Sequence, residues 1–146
     1  MGSQLNFILC KERTGSSLLT TMLNGSDEVV AVAEETFSLY LFPKYGSLNN
    51  WSDDAISSLL DDFVLMSKKN LNLYFSDITN ARTKLLGIKD RNIDYQAMCK
   101  QLYGLFYPTK RKDQVSVYVE KQIDYLFHLK ELNKVFPNSK IVVLVR

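Results

Sequence analysis

Residues 7–23 read FILCKERTGSSLLTTML, and the way this stretch folds decides the rest of the chain. Phe7, Ile8 and Leu9 are three large apolar residues in a row, so residues 4–10 predict a short strand buried on both faces. Residues 16–23 predict a helix with Leu18, Leu19, Met22 and Leu23 on one face, and Asn24-Gly25 supplies its stop. Between strand and helix stand Lys11, Glu12, Arg13, Thr14 and Gly15. The first N–H groups of a helix have no acceptor inside it, and the helix dipole is positive at that end. An anion placed there is bound by main chain, Ser16 and Ser17 can add hydroxyls, and Arg13 can add a charged fork. Gly15 lets the backbone approach the anion's oxygens closely. The stretch therefore suits a phosphate cradle. It also suits a plain helix start, with Thr14 or Ser16 as the cap and Arg13 solvated.

Further along, VVAVA at 29–33 predicts a second strand. Ser52-Asp53-Asp54 is an N-cap with an acidic first turn, opening a helix to about residue 69 with Ile56, Leu59, Leu60, Phe63 and Met66 at helical spacing. Residues 91–106 predict another helix. VSVYVE at 115–120 alternates like a strand. DYLFHLKELNKVF at 124–136 is amphipathic and stops at Pro137-Asn138, and KIVVLV at 140–145 is a last strand. Short apolar strands alternating with helices give an α/β fold with a mainly parallel central sheet flanked by helices, in three layers. PTKRKDQ at 108–114 is a charge cluster that reads as a solvated loop.

The composition of the 146 residues, 46% hydrophobic and 23% charged, suits one globular domain over 1–146. A net charge of +2 gives no general field for nucleic acid, so an anion site has to be local. Cys10 and Cys99 form no framework and no CxxC, and are expected reduced and buried, in the cytoplasm. Residues 5–10 are too short and too quickly interrupted for a secretory signal, and no window approaches a membrane span. Met1-Gly2-Ser3 is set aside as an expression remnant. The chain stops at Arg146 just as an apolar strand ends, so it is expected to be the N-terminal part of a longer protein, truncated at the C-terminus.

The opening loop is not a Walker A sequence: Gly15 is followed by serine rather than lysine, and Lys11 precedes the turn. RTGSSLLTTML followed by EVVAVAEET instead resembles the 5′-phosphosulfate loop and following strand of the sulfotransferase superfamily, whose members use 3′-phosphoadenosine 5′-phosphosulfate (PAPS). Arg13, Thr14, Gly15, Ser16 and Ser17 fill that loop position by position. FPNSKIVVLVR at 136–146 is similar to the family segment whose strand delivers an arginine to the cofactor's 3′-phosphate, a role that falls to Arg146. YVEKQIDYLFHLKELNKVFP resembles the stretch between them. Lys121 falls on the family's lysine, while Gln122 and Ile123 depart from the usual Thr-Pro. Residues 45–112 carry no diagnostic residue.

The resemblance implies a P-loop-like fold and transfer of a sulfuryl group from PAPS to a hydroxyl or amine by in-line displacement, with no metal. It implies that Arg13, Thr14, Gly15, Ser16 and Ser17 hold the 5′-phosphate and sulfuryl oxygens, and that Lys121 stabilises charge between donor and leaving group; a surface lysine ending a strand is the plain alternative. It implies a glutamate base in AEET, at the end of the second strand. Adjacent side chains on extended backbone point opposite ways, so one of Glu34 and Glu35 faces the site. Glu35 aligns with the family base, and Glu34 is the alternate; a cap or a pair with Arg13 would be the structural role. Lys11 reads as a loop charge and His128 as a partly buried structural residue. Phe37, Tyr40, Phe42 and Tyr45 suit core packing or an acceptor pocket. The acceptor is a small molecule, glycan or lipid. A nucleotide kinase or other nucleoside triphosphatase, and a non-catalytic module of the same fold, are the competing readings.

Overall fold

The structure, a computed structural model, describes residues 4–33, 37–67, 78–106, 110 and 113–145. Its centre is a four-stranded sheet in the order β2-β3-β1-β4. The strands are β1 (Leu5–Cys10), β2 (Val29–Ala33), β3 (Val117–Gln122) and β4 (Ile141–Leu144). Every pairing is parallel, so the sheet is all-parallel among the described residues. Around it lie α1 (Ser16–Asn24), α2 (Ser38–Tyr45), α3 (Asp53–Met66), α4 (Ile78–Leu86), α5 (Tyr95–Gly104) and α6 (Leu129–Val135). A 3₁₀ helix, Asp124–His128, precedes α6.

The layers follow from strand alternation. Leu5, Phe7, Leu9, Val30, Val32 and Tyr118 point into the large core shared with α2, α3, α5 and α6. Ile8, Ala31 and Val119 point the other way, where Leu19 and Leu23 of α1 pack on them. Both faces of β1 are thus buried, as its unbroken apolar run requires. The chain leaves β1 toward β2 over one face by way of α1. It leaves β3 toward β4 over the other face by way of α6. The direction of winding therefore reverses between the adjacent strands β1 and β3, which opens a crevice outside their carboxyl ends.

Several expectations need correction. In α1, Leu18 and Met22 are 66% and 67% exposed, and the buried residues are Ser16 and Thr20. Leu19 and Leu23 meet the sheet, and the small Ser16 and Thr20 between them let the helix backbone approach it closely. The amphipathic run 124–136 is not one helix. His128 has φ −122°, outside helical values, and separates the 3₁₀ turn from α6. That turn buries Tyr125 completely and leaves Phe127 80% exposed. Residues 91–94 lie outside α5, which Asp94 caps by accepting the Ala97 N–H at 2.7 Å. Lys110 of the basic cluster is no solvated charge: its Nζ donates to the carbonyls of Asn24 at 2.8 Å and Val29 at 2.6 Å. It thereby places a cation on the C-terminal end of α1, where the helix dipole favours one.

The Ser52 cap forms as expected, its hydroxyl accepting the Ala55 N–H at 3.1 Å, and Asp53 pairs with Arg91. Cys10 and Cys99 are buried free thiols. Asn24 closes part of the sheet edge. Its side-chain amide donates to the Ala31 carbonyl at 2.6 Å and accepts the Ala31 N–H at 2.9 Å, imitating a neighbouring strand.

Candidate active site

The junction of β1 and α1 is a tight loop held by its own backbone. Thr14 Oγ1 donates to the Lys11 carbonyl at 2.9 Å. Arg13 has φ +60° and Gly15 φ +83°, both left-handed. Glycine takes that conformation freely, whereas for arginine it costs about 1 kcal/mol or more. Successive turns of this kind aim main-chain N–H groups into a concavity that accepts anions.

Gly15 is itself the N-cap of α1, and no side chain caps the helix. This removes the reading of Thr14 or Ser16 as a plain cap. The first intrahelical bond runs from Leu19 N–H to the Gly15 carbonyl at 3.0 Å, so the N–H groups of Ser16, Ser17 and Leu18 precede the ladder. The first turn holds no acidic residue that would compete for them. A Cβ placed on Gly15 would meet nothing within 4 Å, so the glycine faces open space on this side. Arg13 and Ser17 are exposed, Thr14 is half-buried, and Ser16 is buried under the helix start. Main chain, Ser17 hydroxyl and the Arg13 fork therefore suit a tetrahedral anion better than the Ser16 side chain does.

This loop forms one wall of a cavity of about 300 Å³ lined by Lys11, Glu12, Thr14, Leu126, Leu144 and Val145. It lies at the carboxyl end of the sheet beside that crevice, between the segments that follow β1 and β3 and the end of β4. Lys11, read above as a loop charge, lines it. Glu12 shares the rim and offsets part of the basic charge. Arg146, the residue expected to meet a 3′-phosphate, follows Val145 directly and lies outside the described residues.

Lys121 is 2% exposed, so the surface-lysine alternative falls. It pairs with Ile8 on β1 and Ala33 on β2. Register with Ile8 puts its side chain on the α1 face of the sheet, at the carboxyl end of the central strand. The β1–α1 loop lies at the same end of β1, and its helix lies on the same face. Burying a lysine costs several kcal/mol unless it is compensated, so a lysine at this position is held by interactions within the fold or by a bound anion. Glu34 and Glu35 lie outside the described residues; β2 ends at Ala33 beside Lys121.

A second cavity, about 600 Å³, runs between α2 and α6 and is lined by Leu39, Tyr40, Phe42, Pro43, His128, Glu131, Lys134 and Val135. Of the four aromatics weighed above, Phe37 and Tyr45 are core residues, while Tyr40 and Phe42 line this groove. His128 is half-buried, its ring edge-on to Tyr40 at 6.0 Å, in keeping with a structural role.

Strand, glycine turn and bare helix start at a topological switch point have the geometry of an anion cradle in an α/β sheet. The chain belongs to the sulfotransferase family, whose sequence model matches residues 6–146. No curated protein and no solved structure gives a significant match. No helix among the described residues is long and apolar enough to cross a membrane.

Proposed function

We propose that this chain builds the donor site of an enzyme that moves a sulfuryl group from PAPS to a hydroxyl or amine of a small molecule, glycan or lipid. The observation that carries the reading is the uncapped start of α1 behind left-handed Arg13 and Gly15, on the same sheet face and at the same sheet end as buried Lys121. The donor supplies an activated sulfuryl group on a phosphate leaving group. The chain's part is to bind, align and neutralise. The Gly15–Ser17 main chain, the Ser17 hydroxyl and Arg13 hold the 5′-phosphate and the sulfuryl oxygens. Lys121 sits where charge builds on the leaving oxygen, and a fixed cation in a site that excludes water stabilises such charge strongly. Glu35 takes the acceptor's proton, and Arg146 meets the 3′-phosphate. Buried free thiols at Cys10 and Cys99 suit a reducing, cytoplasmic setting.

Two separate anion sites predict that 3′-phosphoadenosine 5′-phosphate (PAP), the desulfated donor, binds better than ADP or ATP, and does so without Mg²⁺. Titration calorimetry with the three nucleotides, with and without Mg²⁺, tests this. Tight Mg²⁺-ATP binding indifferent to a 3′-phosphate would favour a triphosphate enzyme instead. In the same assay Arg13→Ala should weaken PAP by about 1.5–3 kcal/mol, the range for a hydrogen bond to a charged group. Its melting temperature should hold, because Arg13 is exposed and alanine pays the same left-handed cost. Unchanged affinity with lower stability would make Arg13 structural.

A further inference from the structure

Position 120 lies in the middle of the large core. By register Glu120 stands between Phe7 on β1 and Val32 on β2, and it is completely buried. An apolar side chain would be the stable choice there, since a buried carboxylate costs several kcal/mol unless fully bonded. Its Oε2 accepts from the Tyr103 hydroxyl at 2.6 Å and from the Ser38 hydroxyl. Its Oε1 has no hydrogen-bond partner among the described residues. The groups facing it are Ser38 of α2, Tyr95, Cys99 and Tyr103 of α5, and Tyr125 of the 3₁₀ helix.

Through Ser38 this cluster reaches the start of α2, where two further bonds meet it. The Tyr95 hydroxyl donates to the Ser38 carbonyl at 2.8 Å, and the Tyr125 hydroxyl accepts the Leu39 N–H at 2.8 Å. α2 has no side-chain cap of its own, so these tertiary bonds stand in for one. The start of α2 is also where the connection from β2 arrives, the connection that contains Glu34 and Glu35. On the strand itself the next residue is Lys121, on the opposite face.

We propose that Glu120 is a positioning residue for sulfuryl transfer: through Ser38 and Tyr125 it fixes where the β2–α2 connection ends, and along β3 it fixes the point from which Lys121 projects. It touches neither donor nor acceptor. The proposal rests on the sulfotransfer reading of Lys121 and Glu35. It accounts for a carboxylate in an apolar core, because a methionine of similar size would fill the space and leave the start of α2 untied.

Burial pushes the Glu120 carboxyl up to about 7 from an ordinary 4.5. Burial also pushes the surrounding phenols and the Cys99 thiol up, so they stay neutral at that pH. A carboxyl with a raised folded-state value keeps its proton where the unfolded chain has lost it. Its contribution to stability is therefore complete below about 4.5 and is lost as pH rises through about 7.

The test compares wild type with Glu120→Gln and Glu120→Met by amide hydrogen exchange, by the ¹³Cε signal of Lys121 and by melting temperature against pH. The methionine variant should fold and exchange its amides at 37–41 at least tenfold faster, with β1 and α3 unchanged, and its Lys121 signal should move. The glutamine variant, which keeps an acceptor for Ser38 and Tyr103, should restore both. The wild type should also lose stability relative to the glutamine variant between about pH 4.5 and 7. Should the methionine variant fail to fold, Ser38→Ala and Tyr125→Phe untie the same point from the other side and should give the same local signature. Unchanged exchange at 37–41, an equal rise throughout β1 and α3, or glutamine behaving as methionine does would each overturn the positioning role. PAP calorimetry on the wild type separates the two readings. No PAP binding there overturns the donor site whatever the exchange shows, whereas PAP binding with no local change in the variants overturns the role of Glu120 alone.

Discussion

Glu35→Gln is expected to keep PAP affinity and to lose most of the turnover. The acceptor hydroxyl has to give up a proton as its oxygen attacks sulfur, and removing a general base typically costs about a hundredfold to ten-thousandfold in rate. β2 runs parallel to β3 and ends at Ala33, opposite Lys121, so Glu34 and Glu35 follow directly from the sheet end at which the lysine lies. Glutamine keeps size and polarity, so the melting temperature should not fall. Glu34→Gln is the paired control and should be mild, since the family base aligns with Glu35. Both variants are measured by PAP release with any acceptor that supports turnover, with PAP calorimetry alongside. An inactive Glu34→Gln beside an active Glu35→Gln would move the base by one residue. Full activity in both would take the base out of this segment.

The elements that were legible in the sequence are those whose period or punctuation is clean. β1, β2 and α3 come from an unbroken apolar run, a β-branched run, and a Ser-Asp-Asp cap with helical spacing behind it. α2 was not legible, because Pro43 lies inside its eight residues and its start is tied by Tyr95 and Tyr125 rather than by a cap of its own. α4 was missed for want of a pattern: over ITNARTKLL only Ala81 and Leu85 are buried. The turn between β1 and α1 was legible, since strand end, glycine and helix start sit in consecutive residues. The inner side of β3 could not. VSVYVE alternates as a half-exposed strand would, and on that pattern Glu120 belongs outside. A central strand of an all-parallel sheet is covered on both faces, so both Glu120 and Lys121 are buried. Which neighbours make such burial tolerable depends on the packing of α2, α5 and the 3₁₀ helix, and residues far apart in sequence leave no local trace of it.

Lys121→Met should lower turnover about a hundredfold to a thousandfold, the usual effect of removing one preorganised group that stabilises developing charge. The expected effect on stability has the opposite character. Methionine nearly matches the lysine stem in length, and at 2% exposure the substitution removes a buried cation without opening a cavity. Should the lysine serve mainly to balance a carboxylate of the chain itself, the methionine variant would leave that carboxylate buried and uncompensated, and stability would drop by several kcal/mol. Turnover, PAP affinity and melting temperature measured together separate the cases. Lost turnover with a near-native melting temperature assigns the lysine to the transferring group, and a modest loss of PAP affinity beside it places the charge on the leaving phosphate. A large fall in melting temperature with turnover retained in the folded fraction would make Lys121 a structural cation and leave Arg13 as the principal charge on the donor.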